Sequence, residues 1–207
     1  MTIKNAGDNG IYISGNYNRV QDCYITGCGD TGLQMSNGAS YNRVTRVTSI
    51  YNYDDKTSGE NADGFAAKLS VGPGNTFEDC TALYNSDDGF DFYEAGDAVK
   101  VYDSEASYNG VDEGNGNGFK VGGNYTADHH YLENCTATGN KQRGYDQNNN
   151  TGYITLVSCI GTSNNVNFYF PKAPASGTHK FTNCKSISGT NKDKIVGATV
   201  TNCSFNP

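Results

Sequence analysis

The sequence predicts an all-β chain wound as a right-handed parallel β-helix of about eight coils, and three observations predict it. A segment recurs with a typical period of 24 or 25 residues, columns of like residues hold fixed places within it, and short runs of strict alternation open on glycine. A single domain spanning 1–207 follows, because no shift in composition interrupts the pattern.

The repeat reads NRVQDCYITGC at 18–28, NRVTRVTSIYN at 42–52 and NTFEDCTALYN at 75–85. It continues at 99–109, 130–140, 154–164 and 179–189, and in part from 198, with two longer gaps where loops are inserted. One column holds Cys23, Val47, Cys80, Ser104, Cys135, Cys159, Cys184 and Cys203. Three residues upstream stands an apolar column: Val20, Val44, Phe77, Val101, Leu132, Leu156, Phe181 and Val200. Both columns are expected to fill the core, with the Cys as free thiols rather than a disulfide framework, although Cys28, outside the column, could still pair with Cys23. Five residues downstream come Asn52, Asn85, Asn109, Asn140 and Asn164. Stacked about 4.8 Å apart, such Asn side chains can bond to the next rung and tolerate left-handed backbone.

A second strand in each coil opens on Gly10, Gly32, Gly64, Gly89, Gly118 or Gly144. In Gly89-Phe90-Asp91-Phe92-Tyr93 the first and third residues after Gly point inward and the second and fourth outward. Neither a leucine-rich signature, nor a helical period, nor a nine-residue period is present, which sets aside the other common repeat architectures.

Composition agrees. Apolar residues make up 35%, Trp is absent, and Gly is abundant, which disfavours helices while the regularity argues against disorder. A net charge of −7 with scattered Lys and Arg excludes a nucleic-acid partner, and no apolar run is long enough for a membrane span or a signal peptide. An acidic ligand would need a local reversal of the field, for which a divalent cation is the common device.

The acidic residues concentrate in two successive coils, Asn61-Ala62-Asp63-Gly64 and Ser86-Asp87-Asp88-Gly89-Phe90-Asp91. Asp63 and Asp88 each precede the Gly, one rung apart; Asp87 adjoins Asp88, and Asp91 points outward. Four carboxylates in so small a patch would repel, and calcium, which takes 6 to 8 oxygens, resolves this better than zinc, since no His or Cys is near. The plainer alternative is a solvated acidic turn. Lys120, outward one rung beyond Asp91, has two readings. Beside a cation its pKa would fall, as a general base requires; alternatively it only neutralises Asp91 and Asp146.

With those residues in place, the stretches NADGFAAK (61–68), NSDDGFDFY (85–93), GNGNGFKVGG (114–123) and RGYDQNNN (143–150) make the chain resemble polysaccharide lyase family 9, the calcium-dependent pectate lyases. The resemblance implies a right-handed parallel β-helix, cleavage of polygalacturonate by β-elimination, calcium ligands at Asp63, Asp87, Asp88 and Asp91, and a catalytic base at Lys120. It further suggests Arg143 and Lys68 as contacts for substrate carboxylates, and a contribution around Tyr145 and Gln147. It implies secretion, a role in degrading plant cell-wall pectin, and a monomer. Family members are usually longer, so a fragment, a short form or a minimal β-helix is expected, with end-to-end association through uncovered coils. Competing readings are a metal-independent hydrolase with paired carboxylates, a non-catalytic calcium-containing carbohydrate-binding β-helix, and a lyase for another uronate polymer such as rhamnogalacturonan.

Overall fold

The computed structural model describes residues 1–206. Every strand pairing within it is parallel, and each joins a strand to its counterpart one coil away: Val101 lies opposite Phe77 on one side and Leu132 on the other. The strands form two sheets. One, of eight strands, runs from Ile11–Ile13 through Leu33–Met35, Phe65–Ala67, Phe90–Asp91, Phe119–Lys120, Arg143–Asp146 and Val166–Phe170 to Lys194–Ile195, one per coil. The other, of 14 strands, wraps the remaining two faces. The result is the expected all-β, right-handed parallel β-helix of eight coils.

The bend between those two faces falls at one residue per coil, and that residue has left-handed backbone: Asp79 (φ 52°), Asp103 (φ 49°), Asn134 (φ 54°), Ser158 (φ 52°) and Asn183 (φ 56°). Short polar side chains suit this conformation because they can bond locally.

Inside, the first residues after Gly64, Gly89, Gly118 and Gly144 stack ring on ring, and Phe168, which follows Asn167, continues the stack in the next coil. Phe65, Phe90, Phe119, Tyr145 and Phe168 follow one another with centroids 4.8 to 5.2 Å apart, all fully buried. Glycine is required before Phe90. A Cβ on Gly89 would lie 2.6 Å from both Ala106 Cβ and the Gly118 carbonyl oxygen. The stack supports the strands that carry the site on their outer surface.

The Asn column is a buried ladder. Asn85 donates its side-chain amide to Asn109 Oδ1 (3.1 Å), Asn109 to Asn140 Oδ1 (2.9 Å), and Asn140 to Asn164 Oδ1 (2.9 Å). Each acceptor oxygen also receives the backbone N–H of the residue below, so two otherwise unpaired donors are satisfied per rung. Asn18, Asn42 and Asn75 form a second, shorter ladder.

All seven cysteines are free, and the column from Cys80 to Cys184 is buried. The alternative Cys23–Cys28 pair is not formed. Cys28 occupies the position of the Asn ladder in its coil, and its backbone N–H donates to Asn52 Oδ1 at 3.1 Å. The apolar column is buried from Val44 to Phe181, whereas Val20 is half-buried and Val200, on the final strand, is exposed.

Candidate metal and active site

Three elements deliver the carboxylates. Asp63 and Asp88 sit just before Gly64 and Gly89, where the chain enters the eight-stranded sheet, and Asp91 is the outward residue of the strand Phe90–Asp91. One carboxylate oxygen from each lies within 4.8 Å of the others, and all three side chains are buried.

Each carboxylate is oriented by a backbone N–H. Asp63 Oδ1 accepts from Asp88 N (3.1 Å), Asp88 Oδ1 from Asn117 N (2.6 Å), and Asp91 Oδ1 from Tyr93 N (3.0 Å). Thr31 adds its hydroxyl to Asp63 Oδ2 at 3.2 Å. The second oxygen of Asp88 is buried and accepts no backbone or amide N–H, and the Lys120 ammonium stands 3.1 Å from it. Three buried carboxylates with no His or Cys among them make an all-oxygen donor set, which fits a hard cation.

Asp87 stands apart from this triad. Its two oxygens accept from Asn61 N (3.0 Å) and Asn115 N (2.6 Å), so it ties together the two inserted loops flanking the site. Those loops also meet directly through Tyr53 and Asp112 and through the backbone of Glu113 and Ser58. Together they wall a cleft of about 290 Å³ whose lining includes Glu60, Asp87, Asp91, Lys68, Tyr93 and Lys120.

Two lysines enter the triad from the adjoining rungs. Lys120, whose backbone pairs with Asp91 and Asp146, directs Nζ to Asp88 Oδ2 (3.1 Å) and Asp91 Oδ1 (3.5 Å). Lys68 places Nζ 2.8 Å from Asp63 Oδ2 and 3.5 Å from Asp91 Oδ2. Burial disfavours the charged form of Lys120, but Asp91, Asp88, Asp63 and Asp87 outweigh it and raise the pKa. That direction is opposite to the lowering expected beside a cation, and its cause is the surrounding carboxylates. Burial likewise pushes the Asp63 carboxyl up to about 7 against the pull of Lys68. Asp88 is raised by burial and by its neighbour Asp87.

Arg143 lies one rung beyond Lys120. Its guanidinium covers the Tyr169 ring at 3.9 Å and pairs with Asp146 Oδ2 at 2.6 Å, with 29% of the side chain still exposed. Asp146 is therefore neutralised by Arg143 rather than by Lys120. Lys68, suggested above as a substrate contact, turns its ammonium onto two carboxylates. Tyr145 and Gln147 do not reach the site: they are the first and third residues after Gly144, the inward positions, and both are fully buried.

Sequence reasoning passed over Asn117, which shares the pre-glycine column with Asp63 and Asp88, and Tyr93, which lines the cleft 5.7 Å from Lys120 Nζ. The first was legible from the register. The second was obscured because an outward Tyr has no distinguishing neighbour in the chain.

Known proteins share this arrangement of coils. Residues 1–191 match the family model described as Pel9A-like, right-handed β-helix region. Pectate lyase L of Dickeya chrysanthemi is 39% identical over 197 residues, covering 91% of this chain and 46% of the relative. Pectate lyase L of Paenibacillus polymyxa (strain SC2) is 39% identical over 218 residues, covering 95% and 48%. The crystal structure of pectate lyase Pel9A superposes with a TM-score of 0.87 at 37% identity, covering 98% of this chain and 51% of that one. The chain thus spans about half the length of the curated relatives it matches. On the family match and these identities, the chain belongs to the Pel9A-like right-handed β-helix proteins of polysaccharide lyase family 9.

Proposed function

We propose that this chain cleaves polygalacturonate by calcium-assisted β-elimination, as a pectate lyase with Lys120 as its base. The observation that carries this reading is the meeting of Asp63, Asp88 and Asp91 with the Lys120 amine in one cleft of a lyase-family β-helix. The substrate is inferred from the names of the relatives. A cell-wall polymer is met outside the cell, so secretion belongs to the same reading.

Calcium held by Asp63, Asp88 and Asp91, with Asp87 at the margin, would supply positive charge to a uronate carboxylate and so acidify its C5 proton. An all-oxygen donor set favours calcium over softer metals. It also reverses the local field of a protein whose net charge is −7.

The protein's own groups do the remaining work. Lys120 Nζ takes the C5 proton, the C5–H electron pair becomes the C4–C5 double bond, and the C4–O4 bond breaks. The departing O4 is protonated from solvent, leaving an unsaturated sugar. Lys120 must be neutral to accept that proton, so its pairing with Asp88 and Asp91 has to loosen before it acts. Arg143, held by Tyr169 and Asp146, offers its remaining donors to a further uronate carboxylate.

Incubation with polygalacturonate, following the ultraviolet absorbance of the conjugated double bond with calcium and with chelator, tests the proposal. A calcium-dependent rise is expected. Binding of the polymer without any rise would instead make the chain a carbohydrate-binding solenoid.

A further inference from the structure

We propose that Lys68 is a built-in counter-ion that holds down the cation affinity of the Asp63–Asp88–Asp91 site. This rests on the calcium reading above. Lys68 is the fourth residue after Gly64, an outward position, yet only 11% of its side chain is exposed, because the stem folds back into the site. Its ammonium bridges two rungs, touching Asp63 of one coil and Asp91 of the next. It uses oxygens that orienting amides leave free: Asp63 Oδ1 and Asp91 Oδ1 are bound to backbone N–H groups, while Lys68 faces Oδ2 of each.

Lys68 therefore stands where a metal ion would draw its ligands, as a permanent positive charge that the ion must displace or tolerate. Lys120 pairs with Asp88 and with the other oxygen of Asp91, but the proposed chemistry requires that amine to leave its carboxylates. Lys68 has no such task. It offsets the mutual repulsion of the carboxylates and holds them oriented without an ion, and it opposes the ion's charge once bound. A site weakened in this way fills efficiently only when an anionic substrate adds its own carboxylate, which couples cation binding to polyuronate binding.

The charge of the ion gives the test. Calcium and terbium are titrated into wild type, Lys68→Met, Lys68→Gln and Lys68→Arg by calorimetry and by terbium luminescence, without substrate, after circular dichroism has established folding. Lys68→Met and Lys68→Gln are expected to bind calcium at least about tenfold more tightly. The logarithm of the gain for terbium should be about one and a half times larger, because Coulomb energy scales with ionic charge. Lys68→Arg keeps the charge and should stay within about threefold of wild type. Gln retains a polar donor in the buried position, so it serves where Met fails to fold. Equal or weaker binding by both neutral variants, beside normal wild-type binding, would overturn the role of Lys68 alone. No cation binding by wild type would remove the calcium reading itself, and this proposal with it.

Discussion

Asn117 directs both its backbone N–H and its side-chain amide to the same oxygen of Asp88, at 2.6 and 2.8 Å. The other oxygen of Asp88 is thereby left buried and facing the Lys120 ammonium at 3.1 Å. Asp88→Asn preserves the shape but removes that negative oxygen. Calcium affinity by calorimetry should fall at least about tenfold with little change in fold. An unchanged affinity would mean that the carboxylates form only an acidic turn.

The burial of Asp63 predicts a pH dependence of stability. Its folded pKa is raised to about 7 from an ordinary value of 3.8, so between those limits the folded state binds more protons than the unfolded one. Its contribution is fully present below about pH 4 and is lost as pH rises through about 7. In urea titrations without divalent ions, wild type should lose stability relative to Asp63→Asn over that window. The difference should be flat above it. A difference that is constant from pH 4 to 8 would contradict the raised pKa.

The Asn ladder is expected to be a main source of cohesion between coils. Asn109→Ala would deprive the Asn85 backbone N–H and side-chain amide of their shared acceptor, and both are buried. Two unsatisfied donors correspond to a loss of about 2 to 6 kcal/mol in denaturant unfolding. A loss below about 1 kcal/mol would show that water enters and replaces the ladder.

The thiol column gives a chemical check of register. Burial pushes the Cys80 thiol up to about 11 and also raises the Cys159 thiol, which makes both unreactive in the folded chain. Cys203, the one thiol that is not buried, should react with a thiol reagent in the native protein. All seven should react after denaturation without reductant. Fewer than seven would reveal a disulfide and a different packing of the coils.

Much of this fold could be read from the sequence because a solenoid repeats its instructions. Once Gly64, Gly89 and Gly118 are aligned, the inward Phe65, Phe90 and Phe119 and the outward Asp91 and Lys120 follow from alternation alone. The same register brings Asp63 and Asp88 together. It could not say which way a long side chain turns. Lys68 and Arg143 occupy outward positions, yet one folds onto Asp63 and Asp91 while the other stacks on Tyr169. The inserted loops carry no register, so the capture of Asp87 by the amides of Asn61 and Asn115 was also hidden. Cys28 was misread because a single substitution in the Asn column looks like an extra cysteine.

The role of Lys120 as the base is tested most directly by the elimination rate of Lys120→Arg on polygalacturonate with calcium present. A guanidinium keeps the positive charge beside Asp88 and Asp91 but stays protonated, so it cannot accept the C5 proton. The rate of unsaturated product should fall by at least about a hundredfold, with calcium and polymer binding nearly unchanged. Retention of most of the wild-type rate would show that Lys120 supplies only charge, and that the proton goes to another group.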